Sequence, residues 1–95
     1  MPLFAIYSLD KPDSVDLRLA TRAVHLEYLK GWSEKVKLGG PLLDDADQMI
    51  GSLAIIDAAD RAEVESFAAN DPYAKAGLFA SVEIRGWRWV VNPPG

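Results

Sequence analysis

Hydrophobic positions follow two different spacings along this chain, and each spacing predicts one kind of element. Short apolar runs with aromatic and β-branched residues predict four strands, at about 3–9, 36–43, 51–58 and 79–91. Apolar positions three and four apart predict two helices, over about 15–35 and 61–69. The stretch NDPYAKAG, residues 70–77, predicts a short helical turn or loop. The elements therefore follow one another in the order β-α-β-β-α-β.

The first helix carries an apolar stripe that the spacing predicts to face the core. Its members fall at helical intervals along one line: Val15, Leu19, Ala23, Leu26 and Leu29. Asp13 or Ser14 precedes this helix and Asp60 precedes the second, and each residue type can cap a helix N-terminus.

The element order predicts a ferredoxin-like α+β fold, with two helices on one face of a four-stranded antiparallel sheet. Residues 1–95 are expected to form a single domain, because the chain is of ordinary small-domain length. Strands one and four are partly apolar on both faces, while the helices cover only one face. We therefore expect a homodimer packed through the uncovered sheet face.

Composition and charge remove several classes of function. The net charge of −4 and the absence of Lys- or Arg-rich runs argue against nucleic-acid binding. No cysteine is present, which excludes disulfides and thiolate metal sites and agrees with a cytoplasmic protein. No apolar run reaches the roughly 18 residues of a membrane span, and MPLFAIYSLD lacks the charged start of a signal peptide.

One histidine and two arginines share an edge of the first helix. Arg18, Arg22 and His25, the only histidine, lie within about 60° of one another on a helical projection, beside the apolar stripe. Such a line can border a cleft, where guanidinium groups favour an anionic ligand and the imidazole can move a proton. The alternative is that both arginines face water and pair with acids such as Asp16 or Glu27.

A second polar position follows the second helix. Asp71 precedes Pro72, which disfavours helical angles at Asp71 and is also typical of an ordinary helix start. In this topology the carboxylate of Asp71 could come close to His25. A carboxylate on one ring nitrogen would fix the imidazole tautomer and leave the other nitrogen for proton transfer.

Three short motifs together resemble the YCII-related family: R-x3-R-x2-HL in helix one, GGP in strand two and DPY after helix two. The resemblance implies a small dimeric protein of the ferredoxin-like α/β-barrel superfamily, which includes muconolactone isomerases. It implies a catalytic His-Asp pair, His25 with Asp71. It also implies matching positions for substrate binding at Arg18, Arg22, Gly40, Pro41 and Tyr73. One branch of the family resembles dehydrochlorinases of chlorinated aromatic breakdown.

Two classes of function remain at this stage. The first is a cofactor-free acid–base enzyme, a lyase, isomerase or dehydrochlorinase, acting on a small cyclic anionic substrate. The second is a non-catalytic ligand-binding or accessory domain of the same fold. A hydrolase triad lacks a G-x-S-x-G elbow, and one histidine with scattered acids does not predict a metal site. We expect neither a cofactor nor a bound metal.

Overall fold

The structure, a computed structural model, describes residues 2–94. Its seven elements are β1 (Leu3–Asp10), α1 (Val15–Lys30), β2 (Val36–Leu43), β3 (Met49–Asp57), α2 (Arg61–Asn70), α3 (Pro72–Lys75) and β4 (Phe79–Trp87). The strands form one sheet in the order β2-β3-β1-β4, and every neighbouring pair is antiparallel. This confirms the predicted ferredoxin-like α+β fold.

The hydrophobic core lies between one face of the sheet and the helices. Ile6 of β1 pairs with Ile84 of β4, and both are buried against Val64 and Phe67 of α2. Facing residues of antiparallel strands share a face, so Ile6 and Ile84 mark the side that the helices cover. Tyr28 of α1 packs against the same cluster, which places α1 and α2 on the same face.

Two predicted elements were too long. Helix α1 ends at Lys30 rather than near residue 35, because Gly31 begins a run of tighter turns. The N–H groups of Gly31 and Trp32 bond to carbonyls only three residues earlier, at 3.1 and 3.0 Å. Strand β4 ends at Trp87 rather than near residue 91. Trp87 pairs with Leu3, the first residue of β1, so β1 offers no partner beyond that point.

The predicted core stripe of α1 was wrong for most of its length, although Leu29 at its end does pack against the core. Leu19 and Leu26 are 51% and 46% exposed, whereas Arg18 is 3% exposed and His25 is largely covered. Over most of the helix, Arg18 and His25 rather than Leu19 and Leu26 therefore point inward. This orientation is tolerated because the inward polar groups meet partners on the sheet and on α3.

The two predicted caps have different outcomes. Asp60 caps α2 as expected, with its Oδ1 accepting the N–H of Glu63 at 2.9 Å. At α1 the predicted cap is wrong, because Ser14 stands at the cap position without a side-chain capping bond. Its hydroxyl donates instead to the carbonyl of Pro12 at 3.2 Å, and Asp13 adopts a positive φ of 56°.

The opposite face of the sheet is bare and largely apolar. Four of its side chains, which follow from the strand register, are 37–43% exposed: Tyr7, Leu38, Leu53 and Trp87. This bare face is defined by those four residues below. None of the helices within residues 2–94 is long and apolar enough to cross a membrane.

Candidate functional site

A cavity of about 300 Å³ lies between the inner edge of α1, helix α3 and the covered face of the sheet. Its volume is at the lower end of small-ligand pockets, which suits one single-ring molecule. Its walls are mostly apolar. All of the residues predicted for the site line it: Arg18, Arg22, His25, Gly40, Pro41, Asp71 and Tyr73.

His25 and Asp71 meet at one side of this cavity. Nδ1 of His25 lies 2.9 Å from Oδ1 of Asp71, so the contact predicted from the sequence is present. An ionised carboxylate can only accept hydrogen bonds, which places the ring proton on Nδ1. Nε2 then keeps its lone pair, and it has no hydrogen-bond partner within residues 2–94.

The backbone around Pro72 sets the position of the carboxylate. Pro72 disfavours helical angles at Asp71, whose φ and ψ are −60° and 129°, so α2 stops and the chain turns into α3. Oδ1 of Asp71 caps α3 by accepting the N–H of Tyr73 at 2.8 Å. One oxygen therefore serves both the cap and His25, and the local turn holds the carboxylate in place.

The ring of Tyr73 supports the imidazole from one side. The two rings stack with centroids 4.0 Å apart and planes inclined by 19°. The guanidinium carbon of Arg18 lies 4.6 Å from the centroid of the same phenol ring. Tyr73 thus contacts His25 by stacking, Asp71 through its backbone and Arg18 through a cation–π interaction.

Arg18 is held inside by an ion pair that the sequence analysis did not predict. Its Nε lies 2.8 Å from Oδ2 of Asp10, and Nη2 donates to Oδ1 of Asp10 at 3.0 Å. Nη2 also donates to the hydroxyl of Ser52 at 2.7 Å. Burial alone would lower the pKa of Arg18, but the Asp10 carboxylate outweighs burial and raises it above its ordinary value.

Arg22 differs from Arg18 although both line the cavity. Arg22 is exposed and forms no ion pair or side-chain hydrogen bond within residues 2–94, while Arg18 is neutralised by Asp10. The alternative pairing of both arginines with Asp16 or Glu27 is wrong for Arg18. Arg22 therefore lines the cavity as a cation without a counter-ion in the described part of the chain.

The family of this chain follows from its match to a known domain family. The model of the YCII-related domain matches residues 2–88. This chain belongs to the YCII-related family. It is 30% identical to Protein YciI of Escherichia coli O6:H1 over 93% of this chain and 98% of that protein. It is also 30% identical to an uncharacterized protein of Haemophilus influenzae, over 92% of this chain and 97% of that protein.

One similar solved structure is that of an enzyme named for its reaction. It is the 5-chloro-2-hydroxyhydroquinone dehydrochlorinase TftG from Burkholderia phenoliruptrix AC1100, in complex with 2,5-dihydroxybenzoquinone. It is 42% identical to this YCII-related chain, superposes with a TM-score of 0.84, and the match covers 90% of this chain and 93% of that one.

Three polar residues that the sequence pattern did not single out point toward α1 and the cavity in this YCII-related domain. They are Asp10, which pairs with Arg18, Ser52, which accepts from it, and Ser8, which lines the cavity. Strand alternation was the available signal, because Ser8 and Asp10 fall on the same face of β1 as Ile6. Polar residues on the strand face that points toward the helices indicate a binding site there rather than continuous hydrophobic packing.

A metal centre finds no support in this YCII-related domain. Within residues 2–94 no group of three or more His, Asp or Glu side chains could hold an ion together. The polar groups that line the cavity are suited to proton transfer and to anion binding. Whether His25, Asp71 and the cavity residues act in these roles stays a prediction.

Proposed function

We propose that this YCII-related protein is an acid–base enzyme of the dehydrochlorinase type, with His25 as the group that moves protons. The observation that carries this proposal is the 2.9 Å contact between His25 Nδ1 and Asp71 Oδ1 at the wall of the cavity. This contact leaves Nε2 with a lone pair for a substrate proton. Asp71 orients the ring and stabilises the imidazolium that forms.

The proposed substrate is a polyhydroxylated, chlorinated ring, by analogy with 5-chloro-2-hydroxyhydroquinone, the compound for which the dehydrochlorinase TftG is named. The hydroxyl beside the chlorine-bearing carbon gives its proton to Nε2, which returns it to that carbon. A second ring hydroxyl then loses its proton to Nε2, and its electron pair moves through the ring as chloride leaves. The net change is loss of HCl with formation of a quinone, so no external oxidant is required.

The cavity supports such a ligand in size and in charge. Its volume of about 300 Å³ fits one six-membered ring with oxygen substituents. Arg22 supplies the cation for an ionised hydroxyl, although the whole chain carries a net charge of −4. Local geometry dominates here, because charges more than about 8 Å away are screened at physiological salt.

Release of chloride tests the proposal directly. The protein is incubated with 5-chloro-2-hydroxyhydroquinone, and chloride is measured against a protein-free control for spontaneous loss. We expect chloride and hydroxybenzoquinone to form in equal amounts, at a rate proportional to protein concentration. Tight binding of the ring without chloride release would favour the non-catalytic ligand-binding alternative.

Replacement of Arg22 tests the preference for anions. We expect Arg22→Gln to weaken binding of ionised 2,5-dihydroxybenzoquinone about tenfold, since a charge-assisted hydrogen bond is lost. Binding of the uncharged dimethyl ether of the same ring should change little. The measurement is isothermal calorimetry, with Arg61→Gln on the outside of α2 as the control. Equal losses for both ligands would contradict an anion site at Arg22.

We also propose a homodimer in the cytoplasm, formed through the bare face. The exposed apolar side chains on four neighbouring strands support this, since a small chain gains stability by covering them. Light scattering should give about twice the chain mass of 10.4 kDa. Leu38→Glu on the bare face should yield monomers, whereas Leu19→Glu on the outer side of α1 should not. A monomeric unsubstituted protein would contradict the dimer.

A further inference from the structure

Tyr28 joins α1 to the last turn of α2, close to the point where His25 meets Asp71. Its hydroxyl donates to the backbone carbonyl of Phe67 at 2.9 Å, and the two rings pack with centroids 5.5 Å apart. Tyr28 follows His25 by three residues, and side chains at that spacing are neighbours on a helix. Phe67 precedes Asp71 by one helical turn. The two contacts therefore lie side by side between the same two segments of chain.

The carbonyl of Phe67 needs a partner from outside its own helix. Helix α2 ends at Asn70, so Phe67 is one of the last four residues, whose carbonyls find no N–H four positions ahead within the helix. The N–H of Asp71 stands four positions ahead of Phe67, but it donates to the carbonyl of Ala68 at 3.4 Å. The hydroxyl of Tyr28 thus replaces the helical hydrogen bond that Phe67 lacks.

The phenol of Tyr28 is held in the protonated form that can donate. Burial raises the pKa of Tyr28 above its ordinary value, and the negative charge of Asp71 raises it further, although Trp32 acts against the rise. The phenol therefore keeps its proton at neutral pH and remains a donor to Phe67.

Tyr28 does not itself line the cavity that is described within residues 2–94. In the same part of the chain, its bond to Phe67 is the only hydrogen bond that joins α1 to α2. The N–H of Tyr73 fixes the carboxylate of Asp71 to its local turn, but it does not fix that turn relative to α1. The bond from Tyr28 supplies this second restraint, because it ties the end of α2 to the helix that carries His25.

We propose that Tyr28 is a positioning residue that holds the end of α2, and with it the carboxylate of Asp71, within hydrogen-bond distance of His25. A displacement of about 1 Å would carry the 2.9 Å contact between the two groups beyond hydrogen-bond range. This role rests on the proposed function, because it acts through the group that moves protons. The contact itself can be measured without turnover.

NMR of the His25 ring and chloride release together test Tyr28→Phe, which keeps the ring on Phe67 and removes only the hydroxyl. In the unsubstituted protein we expect one tautomer, with a slowly exchanging proton on Nδ1. In the variant we expect both tautomers and faster exchange, because Asp71 is held less firmly. The kcat for chloride release should fall about fivefold, as for one ordinary hydrogen bond. Calorimetry should show that binding of 2,5-dihydroxybenzoquinone changes less than about twofold, since Tyr28 does not line the cavity.

A double variant shows whether Tyr28 acts through Asp71. Asp71→Asn already removes the orienting carboxylate, so the addition of Tyr28→Phe should lower kcat no further. A second loss of about fivefold in the double variant would mean that the two residues act independently, which would contradict the positioning role.

Two control variants separate positioning from a general loss of stability. Tyr7→Phe removes a phenol hydroxyl on the bare face, and Ile84→Val trims a core residue that does not line the cavity. Neither should change the His25 resonances or kcat, although Ile84→Val should lower the melting temperature. If Tyr28→Phe does not fold, 4-aminophenylalanine at position 28 keeps the ring and an N–H donor. That protein should keep the single tautomer, and a mixture in its folded form would count against the role.

Failure of this inference can be told apart from failure of the proposed function. An unchanged His25 ring, or an unchanged kcat, in folded Tyr28→Phe would overturn the positioning role and leave the proposed function as it stands. A mixture of tautomers already present in the unsubstituted protein would overturn it too, because no fixed contact would then exist. A ring that changes in Tyr28→Phe, with no chloride release from the unsubstituted protein, would support the restraint on Asp71 and count against the proposed function.

Discussion

Replacing His25 with glutamine is expected to lower the rate of chloride release by about 10²–10⁴, the range for loss of a positioned acid–base group. Glutamine can hydrogen-bond but cannot take up and return the ring protons. Steady-state chloride measurements at saturating substrate give kcat, and calorimetry checks that the ring still binds. We expect binding to change far less than kcat, because His25 acts on protons that move only during the reaction.

Asp71→Asn should lower kcat by about 10²–10³ while the fold is retained. One oxygen of Asp71 accepts from both Tyr73 and His25, so the asparagine amide can donate to His25 Nδ1 only by turning its oxygen away from the Tyr73 N–H, and this donation places the ring proton on Nε2. The imidazole would then lack its free lone pair. NMR of the His25 ring nitrogens should show the change of tautomer directly.

A double variant and a remote acid complete this test. His25→Gln with Asp71→Asn should be about as slow as His25→Gln alone, because two groups that act as one unit are not additive. Asp16→Asn, which alters an exposed acid at the start of α1, should leave kcat unchanged. Full activity of Asp71→Asn with an unchanged histidine tautomer would contradict the pair.

The second large effect concerns stability. Asp10→Ala is expected to lower the free energy of unfolding by about 3–5 kcal/mol, because it leaves the Arg18 guanidinium buried without its counter-charge. The side chains of Arg18 and Asp10 are only 3% and 4% exposed, so few contacts with water are available to offset the lost carboxylate. A small domain has about 5–15 kcal/mol of stability in total. Urea unfolding at one fixed protein concentration measures the change.

Two further variants separate the buried charge from a general loss of packing. Asp10→Ala combined with Arg18→Met removes both charges and should regain much of the lost stability, since an apolar replacement of a buried pair is often neutral. Glu27→Gln breaks the exposed pair with Lys30, at 3.2 Å, and should change stability little. Equal destabilisation by Asp10→Ala and by the double variant would show that packing, rather than the unpaired charge, dominates.

The sequence predicted many of the residues that line the cavity, but it did not predict the contacts among them. The line of Arg18, Arg22 and His25 and the DPY motif identified residues that do line one cavity. The two arginines were expected to be equivalent. Only the fold shows that Arg18 is neutralised by Asp10 while Arg22 is open to the cavity, because Asp10 lies on a different element eight positions earlier.

The strand residues of the site could not be predicted either, because they come together only through strand pairing. Ser8 and Ser52 read as ordinary polar positions in apolar runs, and nothing local connects them. They become neighbours only when β1 and β3 pair in the observed register, and both then line the cavity, with Ser52 bonded to Arg18. Long-range pairing, rather than local propensity, decides such contacts.

The sequence by itself determined the order and type of the elements, the stop at Asp71–Pro72 and several of the residues that line the cavity. Those features depend on local spacing, capping and backbone restriction, which a short stretch of chain contains. The tertiary structure alone decided which side of α1 faces inward. The apolar stripe of Leu19 and Leu26 would bury more hydrophobic surface, and hydrophobic spacing therefore predicted it. The polar side is inward instead because Asp10, Ser52 and Asp71 satisfy its charges and hydrogen bonds.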